Sequence, residues 1–425
     1  MENTPPFELS AVRREWIDGL KGQSFFQRIV RRIKSIHKMD TNARARGVLI
    51  TEKDPIEFAA VFFAAAHLQI PVILANHRWG QREWDQLEAL VNPALVFGSS
   101  PLSTLGRSDV SNPPPSSILI PTGGTTGGVK LAVHDWSTLR SACEGLVDFM
   151  GPGPMNFHCL LPLFHVSGLM QLLRSFHTGG HIAFSDFSEL QSGRLSSFQF
   201  DDRCISLVPT QLQRLMKSKW GLKALRSTRL VFMGGAPLPE RLRQEARHLK
   251  IPIVASYGMT ETAAMIAVQP LDEFFAQEPA AVYPLKHVQI NILNECGELC
   301  AVEESGRIQI KSPSLFRGYH GSKLLRSQDD AHTTDDEGFI DVKGRLHILG
   351  RTDRLIITGG EKVDPREVEE ALCRAREVES ALVVAWPHPE WGQQVVALYT
   401  QRGALCEKEL RSELKAQLAN YKVPK

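Results

Sequence analysis

The sequence predicts an α/β protein: a large N-terminal domain of mostly parallel sheets covered by helices, then a small α+β C-terminal domain. Short apolar, β-prone runs recur between residues 71 and 255 with helical patterns between most of them, the alternation that buries parallel sheets on both faces. A loop crowded with glycine and threonine follows directly on one such run. A chain of 425 residues has length for one large domain plus a small one.

Taken in order, Phe25, Phe26, Ile29, Val30, Ile33 and Ile36 recur at helical spacing, with Arg28, Arg31, Arg32, Lys34 and Lys38 largely elsewhere. This predicts a packed helix with a solvated basic face, weighed against a membrane-surface helix. Asp54-Pro55 reads as an N-cap and first-turn proline, opening a buried helix through Ala66. Strands are expected at residues 71–75, 94–97, 205–208, 230–233 and 251–255. Ser111 to Ser117, with Pro113-Pro114-Pro115, reads as an exposed connector into the run Ile118-Leu119-Ile120. A boundary is expected near Gly350-Arg351-Thr352-Asp353, giving domains 1–350 and 351–425. Beyond it come a Gly359-Gly360 turn and an Asp364-Pro365 cap on a helix with Val368, Ala371, Leu372 and Ala375 on its apolar face. Strands at 381–384 and 395–398 follow, then a helix with leucines at 410, 414 and 418.

Lysine and arginine number 49 against 47 acidic residues, so net charge gives no reason to expect a nucleic-acid partner. Seven scattered cysteines, with Cys296 and Cys300 as a lone C-x-x-x-C, read as reduced thiols and fit a cytoplasmic protein better than a zinc site. The segment from Met1 to Pro6 lacks the pattern of a signal peptide. Phe58 to Ala66, the greasiest stretch, is interrupted by His67, Gln69 and Pro71 and is too short to span a bilayer.

The chemistry is concentrated in Pro121-Thr122-Gly123-Gly124-Thr125-Thr126-Gly127-Gly128-Val129-Lys130. A strand feeding such a loop leaves backbone N–H groups unpaired, and glycine lets that backbone close around an oxyanion. Threonine hydroxyls add donors and Lys130 a positive charge. It is not a Walker A loop, because Gly128 is followed by Val129 rather than Lys-Ser/Thr. Downstream, Ser256-Tyr257-Gly258-Met259-Thr260-Glu261-Thr262 follows an expected strand: Tyr257 offers a flat face to a base, Thr260 a hydroxyl to phosphate, and Glu261 a hard oxygen ligand to Mg²⁺. Gly234-Gly235-Ala236-Pro237 follows another strand, with residues small enough for close backbone approach to a purine.

These segments resemble, in the right order, the motifs of the adenylate-forming superfamily of acyl-CoA synthetases, luciferases and carrier-loading adenylation domains. The loop departs from the pattern at Val129, usually Pro, and at Leu131, usually Gly. The resemblance implies that Thr122, Gly123, Gly124, Thr125, Thr126, Gly127 and Lys130 cradle the phosphates of ATP. It places Gly235, Ala236, Pro237, Tyr257, Gly258 and Thr260 around the adenylate, and Mg²⁺ on Glu261. Thr334-Asp335-Asp336-Glu337-Gly338 resembles the T-G-D-x-G motif, with Asp336 in the ribose-binding place and Asp335 in the usual Gly place. Arg351 matches the ribose- and phosphate-side arginine, and Asp353 the hinge of a C-terminal lid. Gly359-Gly360 would line the pantetheine channel. Leu161 to Met170 resembles the aromatic/histidine segment beside the acyl pocket, so His165, Ser167, Gly168, Leu169, Gly234, Gly258 and Met259 are expected to line that pocket. Thr125, Lys130, His165, Thr260 and Glu261 are the implied catalytic residues.

The segments around His134, His165 and Gln211 look closest to the branch acting on 2-succinylbenzoate in menaquinone and phylloquinone synthesis. The resemblance implies a carboxylic acid, ATP and coenzyme A as small-molecule partners, no membrane span, and leaves a homodimer open. Another aryl- or acyl-CoA ligase, a carrier-protein-loading enzyme and a catalytically silent nucleotide-binding relative are the competing expectations. Ala419 to Lys425 resembles the start of the family's final motif, whose Gly-Lys lysine lies beyond Lys425. The chain is expected to be a shortened form that adenylates poorly yet converts preformed acyl-AMP and coenzyme A to the thioester.

Overall fold

A computed structural model describes residues 5–102, 110–123, 128–194, 200–322, 330–351, 356–358, 361–388, 391–403, 406–418 and 421–425. Its contacts divide the chain into two compact units. The first comprises Met1–Pro237, Ala246–Gln289 and Lys311–His332; the second comprises Leu238–Glu245, Ile290–Ile310 and Thr333–Lys425.

The first unit holds two sheets. Strands β1 (Val48–Thr51), β2 (Val72–Leu74), β3 (Leu95–Gly98), β4 (Ile118–Gly123) and β5 (Val129–His134) form a five-stranded sheet in the order β3-β1-β2-β4-β5. Its first four strands pair in parallel, and β5 returns antiparallel to β4 across the glycine loop. Strands β6 (Phe157–Cys159), β7 (Ile182–Phe184), β8 (Cys204–Leu207), β9 (Leu230–Met233), β10 (Ile253–Met259), β11 (Ala264–Val268) and β12 (Tyr283–Pro284) form a seven-stranded sheet in the order β12-β11-β10-β9-β8-β6-β7. Here β6 to β10 run parallel, while β11 and β12 are antiparallel.

Helix Pro55–His67 forms as its cap predicts. The Asp54 carboxylate accepts from the N–H groups of Ile56 (2.7 Å) and Glu57 (3.2 Å), and Phe58 to Ala66 are all buried. Helix Gly22–His37 buries Phe25, Ile29 and Ile36. Its basic face is less solvated than its composition suggests, because Arg28 and Arg32 both donate to the Glu57 carboxylate. Among the described residues no helix is long and apolar enough to cross a membrane.

The second unit carries two four-stranded sheets. Strands β13 (Gln289–Leu293), β14 (Gly306–Lys311), β15 (His332–Ile340) and β16 (Leu346–Arg351) follow in that order. The other sheet, β18-β17-β20-β19, joins β17 (Ile356–Thr358), β18 (Glu361–Val363), β19 (Val378–His388) and β20 (Gly392–Gln401). The compact unit thus draws in residues 290–310 and 333–350, which the sequence boundary at 350 leaves in the N-terminal domain. Within it β15 and β16 pair from Asp336 opposite Arg351 to Ile340 opposite Leu346. Strands β19 and β20 also outrun the apolar cores expected at 381–384 and 395–398, since polar Ser380, Thr400, Gln393 and Gln394 also pair in the ladder, which shifts register at Glu379. The helices Pro365–Arg374 and Glu407–Gln417 contribute Val368, Ala371, Leu372, Leu410 and Leu414 to this unit's core.

Candidate active site

In open parallel sheets, ligands gather beyond the carboxyl ends of the strands. Gly234, Gly235, Ala236 and Pro237 leave the carboxyl end of β9, and all but half-buried Gly234 are exposed. Gly235 has φ +77, a conformation that favours glycine. One strand over, β10 ends in Tyr257, Gly258 and Met259. The ladder to β11 slips between Tyr257 and Gly258. A side chain on Gly258 would put its Cβ 2.0 Å from the Ala264 carbonyl oxygen, so glycine is required for β11 to approach.

Thr260, Glu261 and Thr262 form one 3₁₀ turn, after which Ala263 (φ 54) and Ala264 (φ 79) take left-handed backbone conformations. Two consecutive alanines there are strained, and the turn persists because its surroundings over-determine it. The Thr262 hydroxyl accepts from the Met259 N–H at 3.0 Å and lies 2.7 Å from the Ala264 carbonyl. His134, fully buried at the end of β5, bridges the turn to the neighbouring helix. Its Nε2 lies 2.8 Å from the Thr260 carbonyl and its Nδ1 2.9 Å from the Thr138 hydroxyl. A carbonyl only accepts, so the neutral ring carries its proton on Nε2 and accepts at Nδ1. Burial pushes its pKa down to about 4.

Residues 316–320 complete this corner. The Arg317 N–H donates to the Val133 carbonyl (2.7 Å), the His320 N–H to the Leu131 carbonyl (2.9 Å), and the Phe316 N–H to the Glu261 carbonyl (2.8 Å). Held this way, the Tyr319 hydroxyl donates to Glu261 Oε1 at 2.6 Å, and Lys130 Nζ stands 5.4 Å from the centre of the same ring. The Glu261 residue is only 7% exposed. Lys130 is exposed and lies directly across the ladder from Thr122, the last loop residue but one on β4 that the structure describes. Lys130, Thr260 and Glu261 therefore share one corner. Gly123 ends β4, whereas Gly124, Thr125, Thr126 and Gly127 lie outside the described residues.

A second group sits on helix Val166–Thr178. His165 is its N-cap residue, exposed, with its ring centroid 4.5 Å from that of Phe164; desolvation by the protein around the ring lowers its pKa. Ser167 is half-buried, while Gly168 and Leu169 are buried, Leu169 within the hydrophobic core. Packing, not an open wall, occupies those last two positions. Down the helix, Gln171 donates through Nε2 to the Ser167 carbonyl at 2.9 Å. Ser167, Gln171 and Arg174 follow at helical spacing on one face. Arg174 is 1% exposed, and its Nε and Nη2, like Gln171 Oε1, have no hydrogen-bond partner among the described residues. The thiols of Cys143 and Cys204 near it are each pushed up to about 12 by burial, so they stay uncharged. A buried guanidinium without a carboxylate is costly, and burial pulls its own pKa down to about 10.

In the second unit, Asp336 and Arg351 face each other across β15 and β16. The ion pair is made by the neighbouring aspartate: Arg351 Nη2 donates to Asp335 Oδ2 at 3.1 Å. Asp336 is tied through its N–H to the Thr334 hydroxyl at 3.1 Å. Asp353, Gly359 and Gly360 lie outside the described residues.

The donor set fits Mg²⁺ held together with phosphates. That ion is usually bound by one or two carboxylates plus substrate phosphate oxygens, not by an all-protein cage. Glu261 supplies one hard carboxylate, Thr260 a hydroxyl and Lys130 a charge. Among the described residues no group of three or more His, Cys, Asp or Glu could hold a metal. Sequence reasoning missed Tyr319 and Arg174. Tyr319 reaches Glu261 only because residues 316–320 add alongside β5, which no local periodicity signals. Arg174 reads as an ordinary surface cation until the packing buries it.

Comparison with known proteins gives a consistent pattern. The family described as AMP-binding enzyme matches residues 107–320, and the AMP-binding enzyme C-terminal domain matches residues 367–425. The 2-succinylbenzoate–CoA ligase of Lactococcus lactis is 29% identical over 404 residues, covering 89% of this chain and 85% of that protein. The enzyme of the same name from Enterococcus faecalis is 30% identical over 308 residues, covering 72% of this chain and 63% of its own length. Among solved structures, o-succinylbenzoate coenzyme A synthetase from Bacillus subtilis, in complex with ATP and magnesium ion, superposes with a TM-score of 0.82. It is 23% identical, with 99% of this chain and 94% of that chain covered. ATP-bound MatB from Rhodopseudomonas palustris superposes equally well, at 0.82 and 24% identity, covering 98% and 92%.

Proposed function

The chain belongs to the AMP-binding enzyme family, and from that premise we propose that it is an AMP-forming acid–CoA ligase that joins 2-succinylbenzoate to coenzyme A through an acyl-adenylate. In this reading it is a cytoplasmic enzyme of menaquinone or phylloquinone synthesis, and a homodimer is an assembly that sedimentation would read. The observation that carries the substrate is Arg174, a buried guanidinium with no carboxylate partner among the described residues, on the helix face of Ser167 and Gln171. A dicarboxylate presents one carboxylate to the chemistry and has a second to bury, and that second anion is what an uncompensated cation calls for. Both curated relatives carry the name of a ligase for this diacid.

The reaction follows in two steps. A substrate carboxylate oxygen attacks the α-phosphorus of ATP, the bond to the bridging oxygen of pyrophosphate breaks, and acyl-AMP forms. The thiolate of coenzyme A then attacks the acyl carbon and AMP leaves. The protein supplies positioning and charge neutralisation: the glycine loop with Thr125, Thr126 and Lys130 for the phosphates, Tyr257 and Gly234 to Pro237 for the adenine, Asp336 and Arg351 for the ribose side. Mg²⁺ bound at Glu261 would supply further neutralisation of phosphate charge. His165 and Ser167 stand at the start of the acyl helix. Residues 1–350 carry the ATP and acyl sites in this proposal and residues 351–425 the lid, with Asp353 as hinge and Gly359-Gly360 at the coenzyme A channel.

The test compares Arg174→Met with the unaltered chain on 2-succinylbenzoate and on analogues lacking one of its carboxylates. Removing one partner of a buried charge pair costs about 3 kcal/mol, so kcat/KM for the diacid should fall roughly a hundredfold. The loss on the monoacids should be much smaller. Uniform loss across all acids, or turnover of a plain aryl or medium-chain acid faster than of the diacid, would overturn the substrate.

A further inference from the structure

Between Asp202 and Glu240 the chain holds no acidic residue and seven lysines and arginines, in a protein whose charges nearly balance overall. Two consecutive helices of the first unit, Pro209–Met216 and Lys219–Ser227, gather most of them. Each helix buries one face: Leu212, Leu215 and Met216 in the first, Gly221, Ala224 and Leu225 in the second. The opposite faces present Arg214 with Lys217 just beyond the first helix, and Lys219, Lys223 and Arg226 on the second, all exposed. Among them stands Trp220, 50% exposed, its indole lying over Gly193. Along the chain the acidic residues that flank this stretch are Asp201 and Asp202 before it and Glu240 after it.

We propose that this face docks the protein peripherally on an anionic lipid surface, with Trp220 at headgroup depth and the surrounding cations against lipid phosphates. Three features favour a bilayer over an acidic protein. The cations are mostly lysine, whose flexible, strongly hydrated ammonium groups suit a diffuse sheet of charge, whereas lysine is depleted in protein–protein interfaces. Long stems let each ammonium reach the headgroup plane while the helices stay above it. An exposed tryptophan that follows Lys219 and stands one helical turn before Lys223 has the apolar body and polar edge that place indole at the membrane–water interface. A cluster of four to eight cations is the size that anionic leaflets attract.

The experiment is cosedimentation of the full chain with sucrose-loaded vesicles of phosphatidylcholine, alone or with phosphatidylglycerol at about 30%, a strongly anionic surface. Binding is expected to the anionic vesicles only and to be lost in 0.5 M salt, with screening on the order of a few ångströms. The triple variant K217E/K219E/K223E should bind at least tenfold more weakly. Trp220→Phe should remove a vesicle-dependent blue shift from the emission spectrum. Circular dichroism matching the unaltered chain would show that both variants fold. Equal binding to neutral vesicles, or undiminished binding by the triple variant, overturns the proposal. So does retention on immobilised polyglutamate without vesicle binding, which would assign the face to an acidic protein. No catalytic turnover enters the readout, so the outcome is independent of the ligase reading.

Discussion

Tyr319 is the residue on which the corner proposed to hold Mg²⁺ turns. Its hydroxyl fixes one oxygen of Glu261 at 2.6 Å while its ring lies under Lys130, so a single side chain orients the carboxylate and the ammonium. A hydrogen bond to a charged group is worth about 1.5–3 kcal/mol, so Tyr319→Phe should lower kcat/KM for ATP by roughly ten- to a hundredfold. It keeps the ring and the backbone pairing, so the thermal midpoint should hardly move. The loss should show as a higher Mg²⁺ requirement in a magnesium titration at fixed ATP. An unchanged titration would reduce Tyr319 to packing. Lys130→Ala and Glu261→Gln should each cost a similar factor in adenylation with folding intact, measured by pyrophosphate exchange, and normal rates in both would remove this corner from the chemistry.

Elements show where sequence reading reaches and where it stops. Asp54-Pro55 and Asp364-Pro365 announce their helices because a cap is a local event, settled within three residues. The parallel strands are legible as short apolar runs because both their faces are buried. The β15–β16 hairpin is not legible in this way, since a buried polar turn holds it together. Asp341 accepts from the N–H groups of Lys343 and Arg345 at 2.9 Å each, from Arg345 Nε at 2.7 Å, and pairs with His347 Nε2 at 2.8 Å. Those bonds outweigh the cost of burial and hold its carboxyl well below the usual carboxylate range. A folded-state pKa below the unfolded one stabilises above the unfolded value, near 4, and that stability is lost as pH falls beneath it. Asp341→Asn should therefore destabilise the second unit by about 3 kcal/mol at pH 7 and narrow the gap to the unaltered chain at pH 3. Hydrogen exchange of residues 338–348 at the two pH values reads both effects, and a gap that persists at pH 3 would show that shape, not charge, holds the turn.

Across the whole molecule, the motifs legible in sequence were those whose chemistry is contiguous, such as the loop before Lys130 and the turn at Glu261. The supports that join them come from distant segments: His134 from the end of β5, residues 316–320 alongside it, and Arg174 on its own helix. Their roles depend on burial, which no window of sequence reports, and burial also gives the fold a pH dependence. His134 and His287 are both pushed down to about 4 by desolvation. Unfolded, each imidazole takes up its proton near 6.5, so in between the unfolded chain binds more protons and stability must fall as pH is lowered. The sign is fixed: stability is fully present above about 6.5 and drains away toward 4. For His134, fully buried, a shift of this size corresponds to about 3 kcal/mol. Guanidinium denaturation of the first transition at pH 7.5 and pH 5 should give a lower free energy at pH 5. His134→Asn, which can still offer an amide to the Thr260 carbonyl, should be less stable at pH 7.5 but flatter between the two pH values. An equally steep dependence in the variant would mean that the protonation of His134 does not limit the fold in acid, leaving His287 as the group to replace next.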